Sequence, residues 1–319
     1  MSMFIIGNLA LILISAIVLV KAVDIFINSS TKIAQHFGIS GYTISFLLVA
    51  IATSLPETVV AITSGLSKKT LLAYGDAMGS NITLITLIIA LPILLGTGMA
   101  TRSVLHSKDA YYATFFAFLP ALLSFDGNLR RVDGLILVTA YVYYLRSVMR
   151  RSKGFEKFVQ RFDHINIWKA WVMFGLSLAF LLGSSRGIVF AAINISQTLG
   201  WALSFVGLTV TSLGTSLPEI AFVISSKAKS NHREILGDVV GSVVANSTLV
   251  LGTASLIYPI ELEYSSFGSS TIFFLTIALL LFLKFTRSKE RLDRYEAFLL
   301  LGVYVLFLVT QYLLQTQIH

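Results

Sequence analysis

Apolar runs dominate the chain and return at a regular spacing. They fall at about 3–23, 39–63, 71–97, 108–124 and 133–149, then at about 167–187, 199–226, 235–257, 265–285 and 294–315. A helix needs roughly 20 apolar residues to cross a bilayer. The pattern therefore predicts ten transmembrane helices with short loops, an all-α integral membrane fold. The run that starts at Phe4 has no basic leader and no small-residue cleavage site, so it is expected to stay as the first helix. The longest polar stretch, 150–166, carries Arg150, Arg151, Lys153, Lys157 and Arg161. It divides the runs five and five. The expected organisation is a first five-helix unit over 1–149, a linker over 150–166 and a second unit over 167–319.

Composition sharpens this picture. Of 319 residues, 55% are apolar and only 13% charged, and the mean hydropathy is +0.81. A soluble domain carries roughly 25% charged residues. A soluble enzyme, a disordered chain and a nucleic-acid-binding domain are excluded as first readings. The expected surroundings are a lipid bilayer, with no nucleic acid. The net charge of +8 then reads as topology. Ten helices place Lys68, Lys69, Arg130, Arg131 and Arg186 on the side of the N-terminus, and the other 19 of the 24 basic residues opposite. Basic loops favour the cytoplasm. Both termini are expected outside, the 150–166 linker inside, and the membrane is read as the plasma membrane. There is no cysteine, and the five histidines lack metal-ligand spacing, so no permanently bound cofactor is expected.

The chain also repeats itself. Thr53-Ser54-Leu55-Pro56-Glu57 returns as Thr215-Ser216-Leu217-Pro218-Glu219, and Gly75-Asp76-Ala77-Met78-Gly79-Ser80 as Gly237-Asp238-Val239-Val240-Gly241-Ser242. Both pairs are 162 residues apart. Five helices per unit turn the second copy over, giving an inverted repeat, a common plan among secondary transporters. Arg131-Val-Asp133 and Arg291-Leu-Asp293 look like a further duplicated signal, set just before the fifth helix of each unit.

Four acids sit well inside predicted spans, as two pairs at repeat-equivalent positions: Glu57 with Glu219, and Asp76 with Asp238. A charge at the bilayer centre costs at least about 2.5–3.5 kcal/mol and marks an ion or substrate pathway. Pro56 and Pro218 deprive the carbonyls around Ala52 and Gly214 of helical partners. Such carbonyls are tolerated at membrane depth only where protein or a polar cavity satisfies them. Ser-Leu-Pro-Glu reads as a helix restart with a capping box, Ser at the N-cap and Glu three residues on. The break gathers carbonyls, hydroxyls and a carboxylate, hard oxygen donors that suit calcium and, less strongly, sodium. Gly75 with Gly79, and Gly237 with Gly241, form GxxxG pairs that let helices approach closely. Asp76, Ser80 and Leu84 share one helix face at i, i+4 spacing, and so do Asp238, Ser242 and Asn246. Asp76 and Asp238 are open to two readings: cation or proton binding, or the tethering of free backbone at a broken helix. Asp24 and Lys21 read as the interfacial end of the first helix.

The twinned T-S-L-P-E and G-x-x-x-G-S motifs in a five-plus-five repeat resemble the calcium/cation antiporter superfamily, and within it the sodium/calcium exchangers, over nearly the whole chain. The resemblance implies Glu57 and Glu219 as central calcium ligands. It further implies hydroxyl or carbonyl oxygens from Thr53, Ser54, Thr215 and Ser216, backbone carbonyls of Ala50 and Ser212, and ligation by Ser80 and Ser242. Three departures stand out. Asp76 and Asp238 occupy positions where the family usually has Asn. Leu84 and Asn246 stand where sodium-type members usually carry a polar or acidic group. Gly79 and Gly241 stand where proton-type members carry Glu. The implied activity is calcium transport in exchange for sodium, with protons as the alternative counter-ion and inorganic cations as the partners, and no enzyme activity. Charge alone gives the coupling: two carboxylates balance one calcium, and an emptied doubly negative site is costly to occlude. A cation channel could use the same ligands but would need a continuous pore. An intramembrane aspartyl protease would need G-x-G-D, whose first glycine is missing before both Asp76 and Asp238.

Overall fold

The computed structural model describes residues 2–36, 54–96, 99–100, 107–151, 166–217, 219–220, 223, 232–262, 266–288 and 291–316. Helices account for nearly all of them. We number these α1 (Ser2–His36), α2 (Leu55–Leu66), α3 (Thr70–Leu94), α4 (Ser107–Leu123), α5 (Arg131–Arg151), α6 (Ile167–Leu199), α7 (Leu203–Thr215), α8 (232–257), α9 (Ser266–Ser288) and α10 (Arg294–Thr316). Among the described residues six stretches are long and apolar enough to cross a membrane: Met3–Ser30, Thr70–Leu94, Ile167–Leu199, Ile235–Ile257, Gly268–Phe285 and Arg294–Thr316. Leu55–Leu66, Thr114–Leu123 and Leu203–Thr215 are apolar but shorter. Phe4, Phe125, Phe180, Phe190, Phe273 and Phe298 all lie exposed, a surface suited to hydrocarbon and not to water.

Two helices outrun their predicted ends. α1 continues to His36 and α6 to Leu199, where the pattern predicts stops near 23 and 187. Lys21 and Asp24 therefore lie inside α1, exposed on its outer face, and do not end it. Arg186 likewise lies exposed inside α6, not in a loop. Long charged side chains reach out of an apolar layer along their stems, so charge did not force a helix end here. α1 and α6 lie against each other along their length. Their contact is antiparallel: Asn194 Nδ2 donates to Asn8 Oδ1 at 3.2 Å, and the rings of Phe26 and Phe174 stand 5.1 Å apart. A Cβ on Gly187 would meet Ser15 Oγ at 2.5 Å, so this seam is close-packed. Ile12, Leu19, Leu181 and Ile188 fill it.

The remaining helices build a second apolar core around α3 and α8, with Met78, Ile82, Val240, Val244, Phe282 and Phe307 fully buried in it. The packing crosses between the motif-bearing halves of the sequence. α5 packs on the end of α8, and α10 on the end of α3; α4 lies on α8, and α9 on α3. α3 and α8 each carry a π turn, at Leu84–Ile88 and Asn246–Val250. A third π turn, Gly207–Thr211, lies in α7.

The all-α expectation needs one amendment. Four two-residue strands, β1 (Met99–Ala100), β2 (Asn128–Leu129), β3 (Ile260–Glu261) and β4 (Arg291–Leu292), form two antiparallel pairs, β1 with β4 and β2 with β3. They use backbone groups that would otherwise be left open at helix ends. The duplicated Arg-x-Asp signal also falls out of register. Asp133 Oδ2 accepts from the Arg130 N–H at 2.7 Å, and the matching cap is Glu296 Oε2 on the Asp293 N–H at 2.9 Å. Asp133 thus corresponds to Glu296, and Asp293 is an N-cap instead.

Candidate functional site

The serine that opens each S-L-P-E has the same backbone shape in the two copies. Ser54 has φ −96°, ψ 10° and Ser216 has φ −83°, ψ 5°, both in the sparsely used bridge region. In each copy the serine carbonyl then becomes an early acceptor of the helical turn that follows, from Thr58 N at 3.0 Å and from Ile220 N at 3.1 Å. Pro56 sits in the first turn of α2, where its missing N–H costs nothing. The expected capping box is absent: Ser54 makes no side-chain cap hydrogen bond. Its hydroxyl is instead buried without a partner.

The acids are where the motif analysis puts them, inside the protein. Glu57 is 1% exposed, Glu219 2% and Asp76 0%; Asp238 is half-buried. The Glu57 carboxylate lies within electrostatic reach of Glu219, Asp76 and Asp238, and Glu219 within reach of Asp238 and Asp76. Glu57 Oε2, Glu219 Oε1 and Oε2, and Asp76 Oδ2 are buried with no hydrogen-bond partner. Buried acceptors are almost always satisfied in native proteins, and an unpaired group costs about 1–3 kcal/mol. Four such oxygens lie within one set of interacting acids.

Hydroxyls complete the surroundings. Thr215 Oγ1 donates to Asp76 Oδ1 at 3.0 Å, tying α7 to α3. Ser80 Oγ lies 3.5 Å from Thr215 Oγ1 and donates to the Ser212 carbonyl at 3.5 Å, while Ser216 Oγ donates to Ser80 Oγ at 3.3 Å. Ser212, Ser80, Ser216 and Thr215 are all buried. In the second half, Ser242 is buried, and Asn246 is fully buried with neither side-chain Nδ2 nor Oδ1 partnered. Thr53 and Ala50 lie outside the described residues. Among the described residues no three His, Cys, Asp or Glu side chains converge into a metal cage. Sequence reading passed over Thr211, whose buried Oγ1 has no partner, and over Asn81 and Ser247, which bond to each other.

Glycine sets how closely the site's walls meet. A Cβ on Gly75 would lie 2.4 Å from the Ser204 carbonyl oxygen, and one on Gly79 2.4 Å from that of Leu208. Opposite them a Cβ on Gly207 would come within 3.0 Å of Asp76 N. α3 and α7 touch backbone to backbone, which brings Asp76 and Ser80 within reach of Thr215. Thr215→Val removes the hydrogen bond that Asp76 Oδ1 accepts from α7. Hydrogen bonds to charged groups contribute about 1.5–3 kcal/mol. The variant is expected to lose roughly tenfold in apparent cation affinity and some thermal stability, with Thr215→Ser close to the parent, both read by cation-dependent melting in detergent.

A helical protein with membrane-length apolar spans thus encloses buried, unpartnered carboxylates. The family profile described as "Sodium/calcium exchanger protein" matches residues 7–149 and 169–313, and the chain belongs to that family of membrane antiporters. It is 29% identical to the "Putative antiporter CaxA" of Alkalimonas amylolytica over 95% of this chain and 97% of that protein. It is 27% identical to "Sodium/calcium exchanger MaX1" of Methanosarcina acetivorans, covering 95% and 97%. A solved structure of the sodium-calcium exchanger NCX_Mj matches with TM-score 0.63 at 24% identity, over 95% of this chain and 98% of that one; this likeness speaks for the fold.

Proposed function

We propose that the protein exports calcium in exchange for sodium by alternating access, with Glu57 and Glu219 as the central calcium ligands. The observation that carries this reading is the set of buried, unpartnered carboxylate oxygens on these two acids, lying within each other's field. Thr53, Ser54, Thr215, Ser216, Ser80 and Ser242 supply hydroxyl or carbonyl oxygens, Ala50 and Ser212 backbone carbonyls, and Asn246 an amide oxygen. Asp76 and Asp238 set the charge of the site and bind cations or protons.

The architecture we infer is ten transmembrane helices in two inverted units, 1–149 and 167–319, joined by a cytoplasmic linker over 150–166, with both termini outside the plasma membrane. Two observations support the inversion. The π turns of α3 and α8 begin 162 residues apart, at Leu84 and Asn246. The strand pairs exchange partners as a two-fold axis requires: the strand after α3 joins the one before α10, and the strand after α8 joins the one before α5.

Coupling follows from charge. With calcium gone, two bare carboxylates in a low-dielectric interior cost several kcal/mol each. The empty carrier changes its facing only after sodium ions or protons replace the calcium. In this mechanism α1 and α6, packed along each other, slide as a pair against the site helices.

Proton coupling is the second reading, and Leu84 favours it. Leu84 is buried and apolar where its repeat partner Asn246 is polar, so the first half offers one oxygen fewer to a second cation. Calcium uptake by proteoliposomes separates the two. An outward sodium gradient is expected to drive uptake that a pH gradient of the same size does not. Uptake driven by pH alone would assign the counter-ion to protons, and uptake that needs neither would reject exchange.

A further inference from the structure

Asn81 and Ser247 belong to none of the repeated motifs. Their repeat-equivalent positions hold Val243 and Ile85, so the bond between them has no two-fold mate. Asn81 is fully buried in α3, and Ser247 fully buried in α8. Asn81 Nδ2 donates to Ser247 Oγ at 2.8 Å, linking these two helices side chain to side chain. Each residue adjoins a ligand position: Asn81 follows Ser80, and Ser247 follows Asn246.

The second position needs such an anchor. Asn246 opens the π turn Asn246–Val250, where the widened helix no longer fixes side-chain direction by regular i→i−4 bonding. Neither amide atom of Asn246 has a protein partner, so no hydrogen bond of its own side chain orients it. Its backbone is held from the next residue, through Ser247 to Asn81. On the other side Ser80 is already held by the Ser212 carbonyl and the Thr215 and Ser216 hydroxyls. We propose that Asn81 and Ser247 are positioning residues that fix the distance between Ser80 and Asn246 and so tune the cation affinity of the site. The inference rests on the cation-site reading above.

The test measures KM and kcat for calcium uptake in proteoliposomes, together with calcium-dependent melting, for Asn81→Val, Ser247→Ala, their double variant, and each combined with Asn246→Ala. One neutral hydrogen bond corresponds to about a tenfold effect. Asn81→Val and Ser247→Ala are each expected to raise KM by about that factor while kcat stays within about twofold. The double variant should be no worse than either single, because both remove one bond. Neither should add to the KM of Asn246→Ala. Ser247→Thr, which keeps the hydroxyl, should restore the parent KM. A parental KM for Ser247→Ala overturns the proposal, as does a loss that persists undiminished in the Asn246→Ala background, which would mark a merely structural contact. Glu57→Gln keeps the two levels apart: if calcium raises its melting temperature as much as the parent's, the cation-site reading itself fails, whatever position 81 does.

Discussion

Glu57→Gln is expected to stop calcium flux while leaving the protein folded, and Glu219→Gln to do the same. Gln has the shape of Glu without its charge, so neither variant opens a cavity. Each takes one of two negative charges from a buried divalent site. Removing one partner of a buried, desolvated charge pair typically costs about 3–5 kcal/mol, which is at least about 100-fold in affinity. Thermal melting in detergent provides the companion signature. Without calcium the parent keeps unpaired carboxylates in its interior, and neutralising one relieves that cost. The variants should therefore melt no lower than the parent in calcium-free buffer. A ligand that binds only the folded state raises stability with its concentration. The parent should gain melting temperature with calcium, and Glu57→Gln should lose most of that gain. Flux in either variant at the parental rate would remove these acids from the transport step.

The second large effect is expected at a residue without a side chain. Gly79→Ala would place a methyl 2.4 Å from the Leu208 carbonyl oxygen and 2.8 Å from Ser212 Oγ. The first contact is with backbone, which cannot rotate away, so α7 must move off α3 by roughly 1 Å. Overpacking of this kind costs about 1–3 kcal/mol, which a folded membrane protein survives. The transport cost is larger. Displacing α7 carries Thr215, Ser216 and the Ser212 carbonyl away from Asp76 and Ser80, and misplacing a reacting group by about 1 Å can cost 100-fold. Gly79→Ala should therefore be recovered folded but transport calcium at a small fraction of the parental rate. Gly302→Ala is the control. Gly302 is exposed on α10, with no atom within 4 Å of an added Cβ, and alanine there should leave transport unchanged and slightly favour the helix.

What could be read from the residues, and what could not, divides along physical lines. Burial of Glu57, Asp76 and Glu219 was legible because a charge in an apolar run has a single economical explanation, and the 162-residue repeat gave it twice. Close contact at Gly75 and Gly79 was legible from small-residue spacing, but the same spacing at Gly237 and Gly241 did not bring it: an added Cβ there meets no atom of the described residues within 4 Å. Helix ends in α1 and α6 were not, because Lys21, Asp24 and Arg186 lie on exposed faces where charge does not break a helix, and the seam around Asn8, Phe26, Phe174 and Asn194 carries both helices onward. The capping box at Ser54 failed although its local pattern is complete. Its hydroxyl stays buried without a protein partner, so the complete local pattern did not bring the cap bond with it. The Arg-x-Asp pairing misled because similar letters recur three residues out of phase, and only the cap hydrogen bonds to Asp133 and Glu296 reveal the true register. Asn81 and Ser247 escaped because they have no counterpart in the repeat that made the other site residues visible.

The exchanged strand pairs bear on how the protein is made. β1 and β2 emerge from the ribosome first, yet neither bonds to the other; Met99 waits for Leu292 and Leu129 for Ile260. The guanidinium of Arg294 likewise donates to the Gly96 carbonyl, at 3.2 Å, and the ends of α3 and α8 rest on α10 and α5. Newly inserted, the first half is an open clasp whose closing pieces have not yet been synthesised. The two interleaved parts can lock through these contacts only once both have been made.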